Sequence, residues 1–93
     1  MIFQGESVRL KALNVLDITE TPITSPSSIT ILIKKPDGTV TSIASGWVND
    51  GGGNFHYDLQ IGESDPIGLW KHRWTIVNGA YTSIEESSFN VYA

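Results

Sequence analysis

Asn54, His56 and Asp58 alternate with aromatic residues, so a strand here would place all three polar side chains on one face. A nitrogen and several oxygens on one face are the elements of a metal site. One imidazole with two weak oxygen donors is nevertheless a poor ligand set for zinc. Because a half-buried strand needs a solvated face opposite its apolar one, the pattern favours a polar surface with no metal bound.

Residues 50–54, Asp-Gly-Gly-Gly-Asn, combine oxygen donors with three consecutive glycines. They lack the regularly spaced acidic ligands and the bidentate Glu of a calcium loop. The glycines also do not lead from a strand into a helix, which is the geometry that cradles a phosphate. Since glycine loses much backbone entropy on ordering, residues 49–54 are interpreted as a flexible hairpin tip rather than ordinary strand.

The residue types of a hydrolase are present, but their spacing does not assemble a catalytic centre. No serine lies in a Gly-x-Ser-x-Gly elbow, and neither His56 nor His72 has a recognisable partner. Glu85 and Glu86 are adjacent, so on a strand they point to opposite faces and cannot act on one bond. They are interpreted as edge charges that discourage strand addition. We therefore predict no enzyme and no cofactor; a pocket joining a histidine to a serine and a carboxylate would revive the hydrolase hypothesis.

The aromatic residues carry more information. Trp70, Trp74 and Ile76 share one parity along the chain, which predicts that both indole rings fill the core and that each indole N–H needs an acceptor. The alternative is that Trp47, Trp70 or Tyr81 is exposed and anchors another protein or stacks on a sugar ring.

Lys71 and Arg73 lie on the face of the same strand that points away from the two core tryptophans. They are either simply solvated or part of a surface that binds another molecule. The candidate contact surface predicted from the sequence therefore comprises Trp47, Tyr81, Lys71 and Arg73.

The last third of the chain organises the predicted fold. Residues 69–77 alternate with β-branched and aromatic side chains, which predicts a strand. Asn78 and Gly79 suit a two-residue type I′ turn, so the chain should reverse directly onto residues 81–84. Phe89 and Val91 repeat the alternation beyond the two glutamates and predict one more strand.

The first two thirds contribute further strands at residues 5–13, 29–35, 39–44 and 55–60. The isoleucine-rich segment 29–35 should lie centrally, with residues 36–39, Pro-Asp-Gly-Thr, as the turn that follows it. Pro22 and Pro26 exclude a central strand from the long connection over residues 14–28, which leaves room for an edge strand at most. About seven strands and no helix predict a mostly antiparallel, all-β sandwich.

Composition limits the possible functions. The 93 residues predict a single domain, 1–93, and the absence of cysteine excludes disulfides and thiolate metal sites. A net charge of -4 argues against nucleic acid as a partner. The N-terminus has no signal-peptide pattern, and no apolar run is long enough for a membrane span, so we expect a chain made in the cytoplasm without a membrane partner.

Several of these segments, in this order and spacing, resemble small immunoglobulin-like or macroglobulin-like β-sandwich proteins encoded in the structural gene clusters of tailed bacteriophages. The resemblance covers nearly the whole chain. The matching segments are 5–10 (Gly-Glu-Ser-Val-Arg-Leu), 35–39 (Lys-Pro-Asp-Gly-Thr), 55–58 (Phe-His-Tyr-Asp), 68–74 (Gly-Leu-Trp-Lys-His-Arg-Trp), Glu86 and 89–91 (Phe-Asn-Val).

The resemblance implies an immunoglobulin-like antiparallel sandwich that serves as a non-enzymatic head, neck or tail component, or as an assembly protein. Its partners would be other virion proteins or further copies of itself as a homo-oligomer, and its location would be the virion. The alternative function, from a different class, is a carbohydrate-binding or adhesion module of the same fold. An exposed coplanar pair of aromatic rings would favour that alternative, and three buried tryptophans would count against it.

Overall fold

The computed structural model describes all 93 residues, Met1–Ala93, and contains strands but no helix. The strands are β1 (Ile2–Phe3), β2 (Ser7–Ala12), β3 (Ser28–Lys34), β4 (Val40–Ile43), β5 (Val48–Gly51), β6 (Asn54–Gln60), β7 (Gly68–Asn78) and β8 (Tyr81–Tyr92). The predicted all-β class is confirmed, with eight strands instead of about seven.

The strands form two sheets, one of five strands in the order β1-β8-β7-β3-β4 and one of three in the order β2-β6-β5. All pairings are antiparallel except that of β1 with the end of β8. The isoleucine-rich strand β3 lies inside the large sheet, between β7 and β4, as its apolar sequence predicts. This is a β-sandwich-like architecture.

The core lies between the two sheets because one face of each principal strand is apolar. Ile29, Ile31 and Ile33 of β3 are all buried, and the residues between them point outward. Trp70 and Trp74 are 1% and 0% exposed, which confirms the prediction that they fill the core. Their N–H groups find the predicted acceptors: Trp70 donates to the Pro66 carbonyl at 2.9 Å, and Trp74 donates to Nδ1 of His72 at 3.1 Å.

The hairpin between β7 and β8 forms as predicted, but its turn lies one residue later. Asn78 remains in β7 and pairs with Tyr81, so the two loop residues are Gly79 and Ala80. Gly79 has a φ of 64°, whereas Asn78 does not adopt a positive φ. Glycine at the first loop position is the type II′ arrangement instead of the predicted type I′ turn.

Beyond this turn the structure has one strand, β8, where the sequence predicted two. Its 12 residues pair with β7 from Tyr81 to Val91 without interruption. The break expected at Glu85 and Glu86 is absent, because the hydrogen bonds that join β8 to β7 are made by the backbone and do not require apolar side chains. The two glutamates lie on opposite faces, as predicted, with Glu85 opposite Trp74 and Glu86 opposite Arg73.

The glycine-rich segment is also more ordered than predicted. Asn49 to Gly51 belong to β5, with a register irregularity, and only Gly52 and Gly53 form the tip of the β5–β6 hairpin. The tip is fixed by the long connection, since the Val15 amide donates to the Gly53 carbonyl at 2.9 Å. That connection contains no strand, only an isolated bridge between Leu16 and Pro22, in agreement with the prediction from its prolines.

Candidate interaction surfaces

Two of the four predicted contact residues, Lys71 and Arg73, project from β7 on the outer face of the five-stranded sheet. Neighbouring strands add Lys34 and Leu32 from β3, because Lys34 pairs with Lys71 and Leu32 pairs with Arg73 across the ladder. Paired residues of adjacent strands share a face. The outer face therefore carries three cationic side chains that are close together in the sheet but far apart in the sequence.

Lys34 and Lys71 are directly opposite each other, and neither has a carboxylate within 4.0 Å. Like charges at directly opposed positions destabilise a sheet. The third cation of this face, Arg73, is held only loosely by Glu86, at 3.7 Å between Nε and Oε1. The face thus concentrates positive charge in a chain whose net charge is -4.

Two adjoining depressions lie on this part of the sheet. We refer to the two depressions jointly as the cationic groove. The first, of about 290 Å³, is lined by Lys34, Lys35, Pro36, Leu69 and Lys71. The second, of about 190 Å³, is lined by Leu32, Lys34, Val40, Lys71, His72, Arg73 and Glu86. Residues of β4, β3, β7 and β8 contribute to the lining, so the groove crosses the strands instead of following one of them.

Lys35, at one end of the groove, differs from its neighbour Lys34 because it is already engaged. Its ammonium contacts Asp65 at 2.9 Å and lies 5.4 Å from the centre of the Trp70 ring. The amide of Gly62 and the Lys35 ammonium both stabilise the charged form of the Asp65 carboxylate, and they lower its pKa. This partly buried pair ties the turn after β3 to the connection before β7.

The other two predicted contact residues lie elsewhere. Trp47 is half-buried and packs edge-on against Phe55, with ring centroids 6.2 Å apart. Tyr81 is 54% exposed and lies at the end of β8 next to the turn. Lys71 is opposite Ser88, which is seven residues further along β8 than Tyr81. The structure therefore brings Lys71 and Arg73 together and places Trp47 and Tyr81 outside the cationic groove.

The longest free strand edge of the molecule belongs to β8. Strand β1 pairs only with Val91 and Tyr92, which leaves residues 81–90 without a neighbour on that side. The Gln4 amide donates to the Tyr92 carbonyl at 2.9 Å, so the backbone of Tyr92 points to the outer edge. Because backbone direction alternates along an antiparallel strand, the amides and carbonyls of the even-numbered residues 82–90 point there too.

An open cleft of about 380 Å³ lies beside this edge, between β2 and β8, and His72 lines it. Glu85 and Ser87 are exposed although they share a face with the buried Trp74 and His72, so this part of the large sheet is not covered. His72 itself is 6% exposed, and its burial lowers its pKa. Ser87 is opposite His72, but no carboxylate is hydrogen-bonded to this imidazole.

Asn54, His56 and Asp58, the polar face considered as a metal site, are engaged with other residues of the chain. His56 Nδ1 lies 2.7 Å from Asp50, and Asn54 contacts the backbone of Gly51 and Asn14. Asp58 forms a two-pronged contact with Arg9, at 2.7 and 3.0 Å, whose hydrogen bonds lower the pKa of Asp58. No three His, Cys, Asp or Glu side chains gather into a cluster that could hold a metal ion.

The sequence predicts that the Lys34 side chain points outward, but it does not predict that Lys34 lies beside Lys71 on the contact surface. Alternation along 29–35 places Lys34 on the outward face. Only the register between β3 and β7, which joins residues 37 positions apart, sets it opposite Lys71. The structure contains no helix with the length and hydrophobicity that a membrane-spanning helix requires.

Comparison with known proteins gives no relative: no family model matches the chain, and no curated protein and no solved structure matches it.

Proposed function

We propose that this chain is an immunoglobulin-like, non-enzymatic structural or assembly protein of a tailed-bacteriophage virion, which acts through contacts with other virion proteins or with further copies of itself. The resemblance of its segments to such proteins motivates the virion context. The structure supports association by a specific route, the free edge of β8.

The observation that carries the proposal is the length of this edge. Over residues 81–90 of this 12-residue strand no neighbouring strand pairs on the outer side, and the backbone groups of the even-numbered residues point there. Natural proteins shorten, twist or cover such edges, because an exposed edge is a template for another strand. Here the glutamate pair disfavours the antiparallel pairing of two identical β8 edges. A strand with neutral or basic residues opposite Glu85 and Glu86 would add without that repulsion.

Light scattering of the purified chain across protein and salt concentration tests self-association, and a pair of substitutions tests the edge. Ser88→Pro removes an amide that points to the free edge, whereas Ser88→Ala keeps the amide and removes only the hydroxyl. Association that is lost in the proline variant and retained in the alanine variant would support the proposal.

Disruption of the gene in the phage genome that carries it tests the virion context. We expect particle assembly to stop or to yield incomplete particles. Normal infectious particles from the disrupted genome would contradict the virion role.

The carbohydrate-binding alternative has little support from the aromatic residues. Two of the three tryptophans are buried, and Trp47 is half-buried. The exposed neighbours Phe3 and Tyr92 are tilted by 54° instead of coplanar, with centroids 6.1 Å apart. A glycan screen read by tryptophan fluorescence tests this alternative, and saturable binding to a sugar would favour it over the virion role.

A further inference from the structure

We propose that the cationic groove is a second binding surface, distinct from the β8 edge, and that its ligand is a short, extended, acidic segment of a partner protein. The inference deepens the proposed function, on which it rests for the protein nature of the partner.

Charge complementarity identifies the ligand as an anion. Lys34 and Lys71 are forced into proximity by the ladder and have no carboxylate of their own. Their placement violates the rule that opposed residues of neighbouring strands should not carry like charges. Such local violations are characteristic of functional sites. A carboxylate between the two ammonium groups would remove the repulsion and form two charge-assisted hydrogen bonds.

Arg73 extends the site toward β8. Its guanidinium is 3.7 Å from the Glu86 carboxylate, and both side chains are at least half exposed, at 50% and 69%. An exposed ion pair of this kind contributes little to stability, whereas a carboxylate that accepts two hydrogen bonds from one guanidinium binds more strongly. A ligand carboxylate can therefore displace Glu86 from Arg73.

The shape and rim of the groove favour a peptide. The groove crosses four strands, which at about 4.8 Å between neighbours spans roughly 14 Å, the length of about four extended residues. Leu32, Val40 and Leu69 border it, at 36%, 55% and 45% exposure, and offer apolar contacts to a side chain between the acidic ones. A nucleic acid would need a longer track of cations than the three that the groove supplies apart from the engaged Lys35.

The test is a titration of the full chain with a labelled peptide, Glu-Leu-Glu-Asp-Glu-Leu-Glu, followed by fluorescence anisotropy and by amide chemical shifts. The matched ligand is the same peptide with glutamine and asparagine in place of the acids. We expect binding of the acidic peptide only, with shifts centred on Lys34, Lys71 and Arg73 and with weakening at high salt.

Two pairs of variants assign the site. The double change Lys34→Gln and Lys71→Gln should weaken binding about tenfold or more, whereas Lys11→Gln, an unpaired lysine on β2 of the other sheet, should leave it nearly unchanged. Glu86→Gln should tighten binding because it frees Arg73. Glu85→Gln changes the net charge equally on the opposite face of β8, so we expect a much smaller effect.

Several outcomes would overturn the inference. Equal losses of peptide affinity in the Lys11 variant and in the groove variants would mean that the peptide binds by non-specific charge attraction. Tighter binding of a single-stranded oligonucleotide than of the peptide would mean that the ligand is a nucleic acid and not a peptide. Self-association that depends on Lys34 and Lys71, without peptide binding, would make a second copy the occupant. Ser88 does not line the groove, and neither Lys34 nor Lys71 belongs to β8. Loss of association in Ser88→Pro and loss of peptide binding in the Lys34 and Lys71 variants are therefore separate results.

Discussion

At the scale of single residues, His72 shows how the core constrains ionisation. It is nearly buried, and its Nδ1 accepts the Trp74 indole proton at 3.1 Å, so this nitrogen cannot also carry a proton without losing that hydrogen bond. Burial lowers the pKa of the folded-state imidazole below the value of about 6.5 expected in the unfolded chain. The unfolded state therefore takes up a proton first as the pH falls.

We predict that the free energy of unfolding decreases as the pH falls below about 6.5, with a limiting slope of about 1.4 kcal/mol per pH unit from this residue. His72→Gln provides an acceptor for Trp74 but does not titrate, so the slope should be smaller in this variant. Urea denaturation of both proteins between about pH 7.5 and 5.5 measures the difference between their free energies of unfolding. The contributions of the other titrating groups cancel in this difference. Parallel curves for the two proteins would contradict the prediction.

Gly53 is a second residue whose type is dictated by its surroundings. Its φ is 83°, and a Cβ there would lie 2.7 Å from the Val15 carbonyl oxygen, a backbone atom that cannot move without disturbing the long connection. We predict that Gly53→Ala lowers the free energy of unfolding by more than about 2 kcal/mol, because a left-handed conformation alone costs roughly 1–2 kcal/mol.

Gly52→Ala is the matched control for this substitution. Gly52 also has a positive φ, of 63°, but its Cβ would meet nothing closer than the Asn54 side chain at 3.6 Å. Chemical denaturation should show the smaller loss for the Gly52 variant. An equal loss in both variants would mean that the tip does not pack tightly against Val15.

At the scale of elements, side-chain alternation predicted the strands better than their ends and partners. The apolar face of β3 and the core positions of Trp70 and Trp74 follow from parity, which is a local property. The turn at Gly79 was misplaced because Asn78-Gly79 and Gly79-Ala80 both satisfy local turn chemistry, and only pairing along the whole of β7 and β8 decides between them. The opposition of Lys34 and Lys71 was beyond local reasoning for the same reason.

The pairing of β3 with β7 makes a prediction about stability. Lys71→Gln removes one of two like charges at opposed positions, so we expect the free energy of unfolding to rise by about 0.2–1 kcal/mol at low salt. The gain should shrink in concentrated salt, which screens exposed charges. Lys11→Gln, which faces no lysine across its ladder, should show no comparable gain. A loss of stability in the Lys71 variant would mean that the two ammonium groups do not repel each other.

At the scale of the whole molecule, the sheet order separates a protected interior from free edges. β7 and β3 have neighbours on both sides, whereas β8 lacks one over residues 81–90 and β4 ends the sheet on the other side. Stability in such a fold is not uniform, since amides that point outward from an edge strand have no hydrogen bond to break before they exchange. The proposed strand-addition surface therefore has a signature that can be measured without a partner.

We predict that hydrogen exchange of the isolated, monomeric chain is slowest at amides of β3 and β7 and fast at Ile84, Glu86 and Ser88, whose amides point outward. Their neighbours Glu85 and Ser87 donate to β7 and should exchange slowly, so protection should alternate along β8. When a strand adds to the edge, the outward amides should become protected, whereas a ligand in the cationic groove should leave this alternation unchanged. Slow exchange at Ile84, Glu86 and Ser88 in the monomer would mean that the edge is already covered, and it would remove the basis for association through β8.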